Sequence, residues 1–186
     1  MKKEIPNKFE YGEKYWELMK ELNTKTAELI NTVRWSFVKE INPRICLDYG
    51  AGLNLLKDYA PENVIVDSFD IGDFPIKYTG IRHKKYDLIF LCDVLEHIPD
   101  FGVLDEVFKI SEYVFVSVPI LPKGRKLKGW RHFKYDTKEH IHYFIKESLD
   151  LFFEARGFGK IKEGYPEVEC GIREDIYTVL FKKKGD

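Results

Sequence analysis

Residues 45–56, ICLDYGAGLNLL, set an acid and two glycines between a short apolar run and a leucine-rich segment. Pro43 breaks any helix that precedes them, so RICLDYG reads as a buried strand. Leu53 to Tyr59 then reads as a short helix, stopped by Ala60 and Pro61. Glycine permits positive φ and, lacking a Cβ, lets a ligand approach the main chain. A helix that starts after the glycines points free N–H groups at a carboxylate or phosphate. A plain strand-to-helix turn accounts for the same residues, and both readings stand at this point. The dinucleotide fingerprint G-x-G-x-x-G is excluded, because Leu55 occupies the place of its third glycine.

Working outward, the first forty residues are helical in pattern, with Ala27, Ile30, Val33 and Phe37 recurring at three- and four-residue steps. Downstream, NVIVDSFD is a second strand, and residues 71–85 are punctuated by Gly and Pro, with room for a short strand at IKYTG. YDLIFLC is a continuous apolar strand, followed by DVLEHIPD and a helix carrying Leu104, Val107 and Phe108. YVFVSVPI is a further buried strand. A basic loop then leads into a helix over KESLDLFFEARGF, with Leu149, Phe152 and Phe153 on its apolar face and Gly157 as its stop. KIKEGYPEVE and DIYTVLFKKK alternate and close the chain as two antiparallel strands. Apolar strands alternating with helices predict an α/β fold whose parallel sheet is covered on both faces. In such sheets ligands bind beyond the carboxyl ends of the strands.

The chain has 186 residues, enough for one domain with a real core. With 44% hydrophobic and 33% charged residues it has a soluble globular profile. A formal net charge of -1 argues against a general polyanion binder, so any nucleic-acid contact must come from a local patch. No run reaches the roughly eighteen apolar residues that span a bilayer, and the opening MKKEIPNKFEYGEKYWELMK lacks the apolar core of a secretory signal. A cytoplasmic location is the expectation. Cys46, Cys92 and Cys170 are odd in number and far apart, which suits free thiols in a reducing compartment and offers no metal spacing.

The strand ends carry the candidate chemistry. After the first strand, Asp48 can hold the glycine loop or accept from a ligand ammonium. After the second, Asp70 lies twenty-two residues beyond Asp48, where an acid accepts from ribose hydroxyls in a βαβ unit; Asp67 is its rival. After YDLIFLC, Asp93 and Glu96 have capping-box spacing, and His97 reads as a packed structural residue. Between Lys123 and Lys134 there are six Lys or Arg and no acid. Such a run is a solvated loop or the rim of a pocket for an anionic acceptor, with Lys123, Arg125 and Arg131 supplying charge and Trp130 and Phe133 supplying rings. His140 and His142, two apart, face one side of an extended segment. No third ligand accompanies them, so no metal is expected, and either can serve as a general base.

LDYGAG, YDLIFLCDVLEHIPD, VFVSVP and EHIHYFIKESLDLFFEARGF, in this order, resemble the class I S-adenosylmethionine-dependent methyltransferases, in particular the small UbiG/UbiE-like group. The resemblance runs from about residue 35 to 183. It implies a Rossmann-like, doubly wound, mostly parallel seven-stranded sheet with an antiparallel edge strand and helices on both faces. It further implies S-adenosyl-L-methionine as cofactor. By position, Asp48, Gly50 and Gly52 match the loop around the methionine part, Asp70 the ribose acid, Asp73 and Phe74 the adenine side, and Cys92 and Asp93 the segment lining the cofactor. His140 and His142 match the acceptor side. Residues 1–40 are expected to form a helical lid carrying Tyr11, Tyr15 and Trp16, over a methyltransferase-like domain at 41–186.

Two features depart from the family pattern. Asn54 replaces the third glycine of D-x-G-x-G-x-G, and the segment between VDSFD and YDLIF is too short for a full crossover helix. The leading expectation is methyl transfer to a small-molecule or anionic acceptor. Two alternatives are an RNA methyltransferase using the 123–134 loop and a non-catalytic methyltransferase-like binding subunit. No [DN]-P-P-[YFW] motif and no Pro-Cys pair is present, which argues against base amino-methylation and cytosine-ring methylation.

Overall fold

The computed structural model describes residues 13–72, 76–133 and 140–185, with side chains from Thr26 onward. A long helix α1 (Glu13–Val38) leads into β1 (Ile45–Tyr49), β2 (Ile65–Phe69) and β3 (Tyr86–Cys92). After β3 come α2 (Asp105–Lys109), β4 (Ser111–Pro119), α3 (Lys146–Glu154), β5 (Phe158–Gly164), α4 (Pro166–Glu169) and β6 (Ile176–Lys183). The sheet order is β2-β1-β3-β4-β6-β5. The first four strands are mutually parallel, and β6 runs antiparallel to both β4 and β5.

Strand alternation sends β3 to two cores. Leu88 and Phe90 join Cys46, Phe115, Leu180 and the α1 residues Trp35 and Val38 on one face. Ile89 and Leu91 join Leu47, Val114, Val116 and Phe181 on the other, beneath Val107 and Phe108 of α2 and Leu149 and Phe153 of α3. Helices thus cover both faces, as continuous apolar strands require. Trp35 packs edge-on against Phe90 with centroids 4.9 Å apart, and its indole N–H donates to the Leu56 carbonyl at 3.0 Å.

Five expectations change. Among the described residues the sheet has six strands, not seven. IKYTG forms no strand because side chains replace the ladder: Ser68 N–H donates to Thr79 Oγ1 at 2.7 Å, and Thr79 N–H returns to Ser68 Oγ. The antiparallel strand β6 lies inside the sheet, so the edge is β5, which slips register between Lys160 and Lys162. KIKEGYPEVE is not one strand, since Pro166 starts the helical turn α4. No helix begins at Leu53: Gly52 and Asn54 take φ of 48° and 57°, and only a 3-10 turn at Leu56–Tyr59 follows. The helix N-terminus expected to receive an anion there is absent among the described residues.

Candidate functional site

The loop after β1 is bound to the end of β2. Gly50 and Ala51 N–H both donate to the Phe69 carbonyl, at 2.8 and 3.0 Å. Gly50 has φ +79°, and a Cβ there would come within 2.5 Å of Val94 Cγ2, so glycine lets the β1 loop pack on the loop after β3. At Gly52 no atom stands within 4 Å of where a Cβ would point, which leaves that side of the backbone open to an approaching group. Asn54 adopts the left-handed conformation a glycine would favour, and asparagine tolerates it. Its side chain is 6% exposed, and Oδ1 lacks a hydrogen-bond partner. Asp48 is buried among these loops; burial pushes its carboxyl up to about 7, with Arg34 opposing the shift and Asp70 adding to it.

Asp67 within β2 and Asp70 just after it separate cleanly. Asp67 is fully buried and accepts from Arg82 Nε at 2.8 Å, from the Tyr86 hydroxyl at 2.8 Å and from His83 Nδ1 at 2.8 Å. Burial opposes its ionisation, but the bonds from Arg82, Tyr86 and His83 bring the carboxyl down to about 2. Asp67 therefore anchors the 78–86 connection and is spent structurally. Asp70 instead faces the glycine loop, accepting from Gly52 N–H at 2.8 Å and Gly72 N–H at 2.7 Å. Tyr78, which the sequence reading missed, donates its hydroxyl to the Gly52 carbonyl at 2.6 Å. Asp73 and Phe74 lie outside the described residues.

At the end of β3, Asp93 has φ +57° and caps no helix. Its carboxylate takes a two-pronged contact from Arg173, at 2.6 and 2.7 Å, and a third bond from Arg34 at 3.2 Å. Fully buried Glu167 of α4 accepts from Arg34 Nε at 2.9 Å, Arg173 at 3.2 Å and the Ser117 hydroxyl at 2.8 Å. Two guanidiniums and two carboxylates thus close a charge-balanced ring joining α1, the β3 end, β4 and α4. Burial works against the Asp93 charge, but Arg173 and then Arg34 outweigh it and hold the carboxyl well below the usual range. Burial drives the Cys92 thiol well up, which suits a wall residue and not a nucleophile. Arg34, Glu167 and Arg173 were not singled out from the sequence. One signal was present: Asn31 and Arg34 fall on the same helical stripe as Ala27, Ile30 and Val38.

The histidine segment lies against the 94–101 loop, where the Glu96 carbonyl accepts from Ile141 N–H at 2.8 Å and His142 N–H at 3.2 Å. The two rings meet that loop at different places. His142 Nε2 donates to the Ile98 carbonyl at 2.9 Å, with its ring 4.5 Å from that of Phe101. His140 meets His97 edge-on, centroids 4.8 Å apart, and donates from Nδ1 to the His132 carbonyl. Glu96, His97 and His140 bring their ligating atoms within 4.8 Å of one another. In the basic loop, Trp130 is 2% exposed and its indole N–H donates to Asp175, so it anchors the loop and offers no exposed ring. Arg131 pairs with Glu174 at 2.8 Å and Arg125 with Asp175 at 3.6 Å, while Lys123 is exposed. Lys134 is outside the described residues.

A family model described as a methyltransferase domain matches residues 17–163. The chain belongs to the methyltransferase domain family. Solved structures agree with this methyltransferase in fold. One is 1,6-didemethyltoxoflavin-N1-methyltransferase from Burkholderia thailandensis, with TM-score 0.64 and 12% identity, covering 97% of this chain and 92% of that one. Another is the plantazolicin methyltransferase BpumL, with TM-score 0.65 and 10% identity over 95% and 93% of the two chains. A third is magnesium protoporphyrin IX methyltransferase from Synechocystis PCC 6803, with TM-score 0.63 and 12% identity over 94% and 96%. All three were crystallised with S-adenosylhomocysteine. No curated protein matches the sequence. No helix among the described residues is long and apolar enough to cross a membrane.

Proposed function

We propose that this methyltransferase uses S-adenosylmethionine to methylate a small-molecule acceptor. The observation that carries the reading is the joined pair of strand-end loops, Asp48 to Asn54 and Asp70, clamped through Gly52. The residues fit the cofactor chemically. A buried carboxyl displaced to about 7 gains most from a nearby ammonium, Gly52 leaves open backbone, and the Asp70 oxygens retain lone pairs for hydroxyls beyond the two N–H bonds they accept. Asp48, Gly50, Gly52 and Asp70 would hold the methionine and ribose parts, with Cys92 and Asp93 as wall. When bound, the sulfonium supplies a methyl group already activated toward a nucleophile.

The chain's own contribution is placement and proton management. The Arg34 ring to Asp93 and Glu167 ties α1 across the strand ends, so residues 1–40 serve as a cover over a domain at 41–186 and keep water out. Tyr11, Tyr15 and Trp16 lie outside the described side chains. His140, beside Glu96 and His97, is where an acceptor proton leaves, and His142 positions the segment through Ile98. Lys123 stands at the rim for an anionic acceptor, with Arg125 and Arg131 shaping the loop. The neighbours named above act, by their names, on toxoflavin precursors, a porphyrin and plantazolicin, which favours a small acceptor. A cytoplasmic location fits the same reading.

Isothermal titration with S-adenosylhomocysteine tests it. Native protein should bind at micromolar concentrations, and Asp70→Ala should weaken binding by about tenfold or more, the loss expected of a charged hydrogen-bond acceptor. Equal binding by both proteins, or none by native protein, would sink the proposal.

A further inference from the structure

We infer that Glu96, His97 and His140 form a binding site for one divalent transition-metal ion, of the zinc, cobalt or iron(II) class. Their ligating atoms converge within 4.8 Å, and bond lengths of about 2.1 Å require neighbouring donors to sit roughly 3.4 Å apart. Closing that gap asks each side chain to turn inward by less than about 1 Å. Two imidazoles and one carboxylate form a donor set suited to such ions, and three protein ligands leave coordination positions open.

The surroundings orient the ligands as metal sites require. His140 Nδ1 donates to the His132 carbonyl at 2.9 Å, which fixes the proton there and leaves Nε2 as the lone-pair nitrogen. The Glu96 carbonyl holds the 141–142 backbone at 2.8 and 3.2 Å, so the same residue that would ligate also docks the segment bringing His140. The Glu96 side chain is 1% exposed, and a carboxylate taken this far from water is favoured beside a cation. Asp93, three residues earlier, takes no part, because its oxygens are engaged by Arg173 and Arg34. Sequence spacing alone hid the set, since Glu96 and His97 come from the β3 loop and His140 from the segment before α3.

The consequence for acceptor chemistry rests on the methyltransferase reading. A hydroxyl oxygen in an open position of the ion would release its proton to solvent near neutral pH, replacing base catalysis by His140 alone. This narrows the acceptor to an oxygen nucleophile.

The test uses full-length protein without an affinity tag, free of S-adenosylmethionine, titrated with cobalt(II) and followed by its visible absorption, with zinc(II) as competitor. One cobalt per chain is expected, with zinc displacing it and raising the melting temperature. His140→Ala and His97→Ala should each weaken binding by about tenfold or more, and the isosteric Glu96→Gln should do likewise if either alanine variant fails to fold. Cys170→Ser, which removes an exposed thiol outside the cluster, should bind within about threefold of native protein. No cobalt binding by native protein, or unchanged binding by the folded cluster variants, overturns the inference. S-adenosylhomocysteine titration of the same samples reads the cofactor loop separately, so failure of one reading is distinguishable from failure of the other.

Discussion

Asp48 is a buried acid, and its protonation links the loop after β1 to pH. Its folded carboxyl sits near 7 against an ordinary value of 3.8. Between those values the folded chain holds a proton that the unfolded chain has released, so its contribution to stability falls as pH rises from about 4 through 7. The cost reaches at most about 4 kcal/mol above pH 7. Urea unfolding of Asp48→Asn should therefore be flatter across this window, and the variant should be more stable than native protein at pH 8. S-adenosylhomocysteine affinity should shift the opposite way, with native protein binding better at pH 8 than at pH 6 and the variant losing that slope. Asn54, the substitution that set this loop apart from its family pattern, keeps the left-handed backbone and pays for it with a buried oxygen that has no partner. The departure thus reaches beyond the side chain, because a 3-10 turn at Leu56–Tyr59 follows in place of a helix.

At the scale of elements, the ring of Arg34, Asp93, Glu167 and Arg173 decides how α1 is held. Only one face of its C-terminal half is apolar, through Trp35 and Val38. Arg34, 11% exposed at its side chain, supplies a polar tether on the neighbouring turn. Removing one member of a buried ion cluster strands the charges it balanced, at about 3–5 kcal/mol. Arg34→Met should lose about 3 kcal/mol in urea unfolding and speed hydrogen exchange along α1, with the strands protected as before. Equal protection of α1 in both proteins would show that packing alone holds it. The connection between β2 and β3 follows the same logic on a smaller scale. Asp67 gathers Arg82, His83 and Tyr86 and fixes a crossover that has no helix among its described residues.

Across the whole molecule, charge is spread so that the basic loop is partly neutralised by Glu174 and Asp175. Together with the net charge of -1, this predicts no saturable binding to a short RNA below about 100 µM at physiological salt. Tight, steeply salt-dependent binding would revive the RNA reading. The strands at 45–49, 65–69, 86–92 and 111–119 were legible because each is built around a short apolar run, polar residues such as Asp48, Asp67 and Glu112 notwithstanding, and Asp48, Gly50, Gly52 and Asp70 were read from their places at strand ends. The strand count was not legible, because whether 76–80 joins the sheet depends on Ser68 and Thr79 side chains competing with the backbone. Arg34, Glu167 and Arg173 escaped for another reason. Each looks like an ordinary surface charge until three distant segments meet, whereas Glu96, His97 and His140 were each singled out but for separate roles, and only their grouping was missed.

The slipped register in β5 has a consequence for how this protein behaves when crowded with copies of itself. An outermost strand offers unpaired amides and carbonyls to any passing chain, a template for fibrils. Here the extra residue, half-exposed Ile161, breaks the repeat between Lys160 and Lys162, and both flanking residues carry positive charge. Deleting Ile161 would bring Lys160 and Lys162 into consecutive pairing with Phe181 and Leu180 and flatten the edge. Concentrated samples of the deletion variant should scatter more light and stain more strongly with thioflavin T on storage than native protein does. The irregularity in the ladder is thus a guard against self-templating.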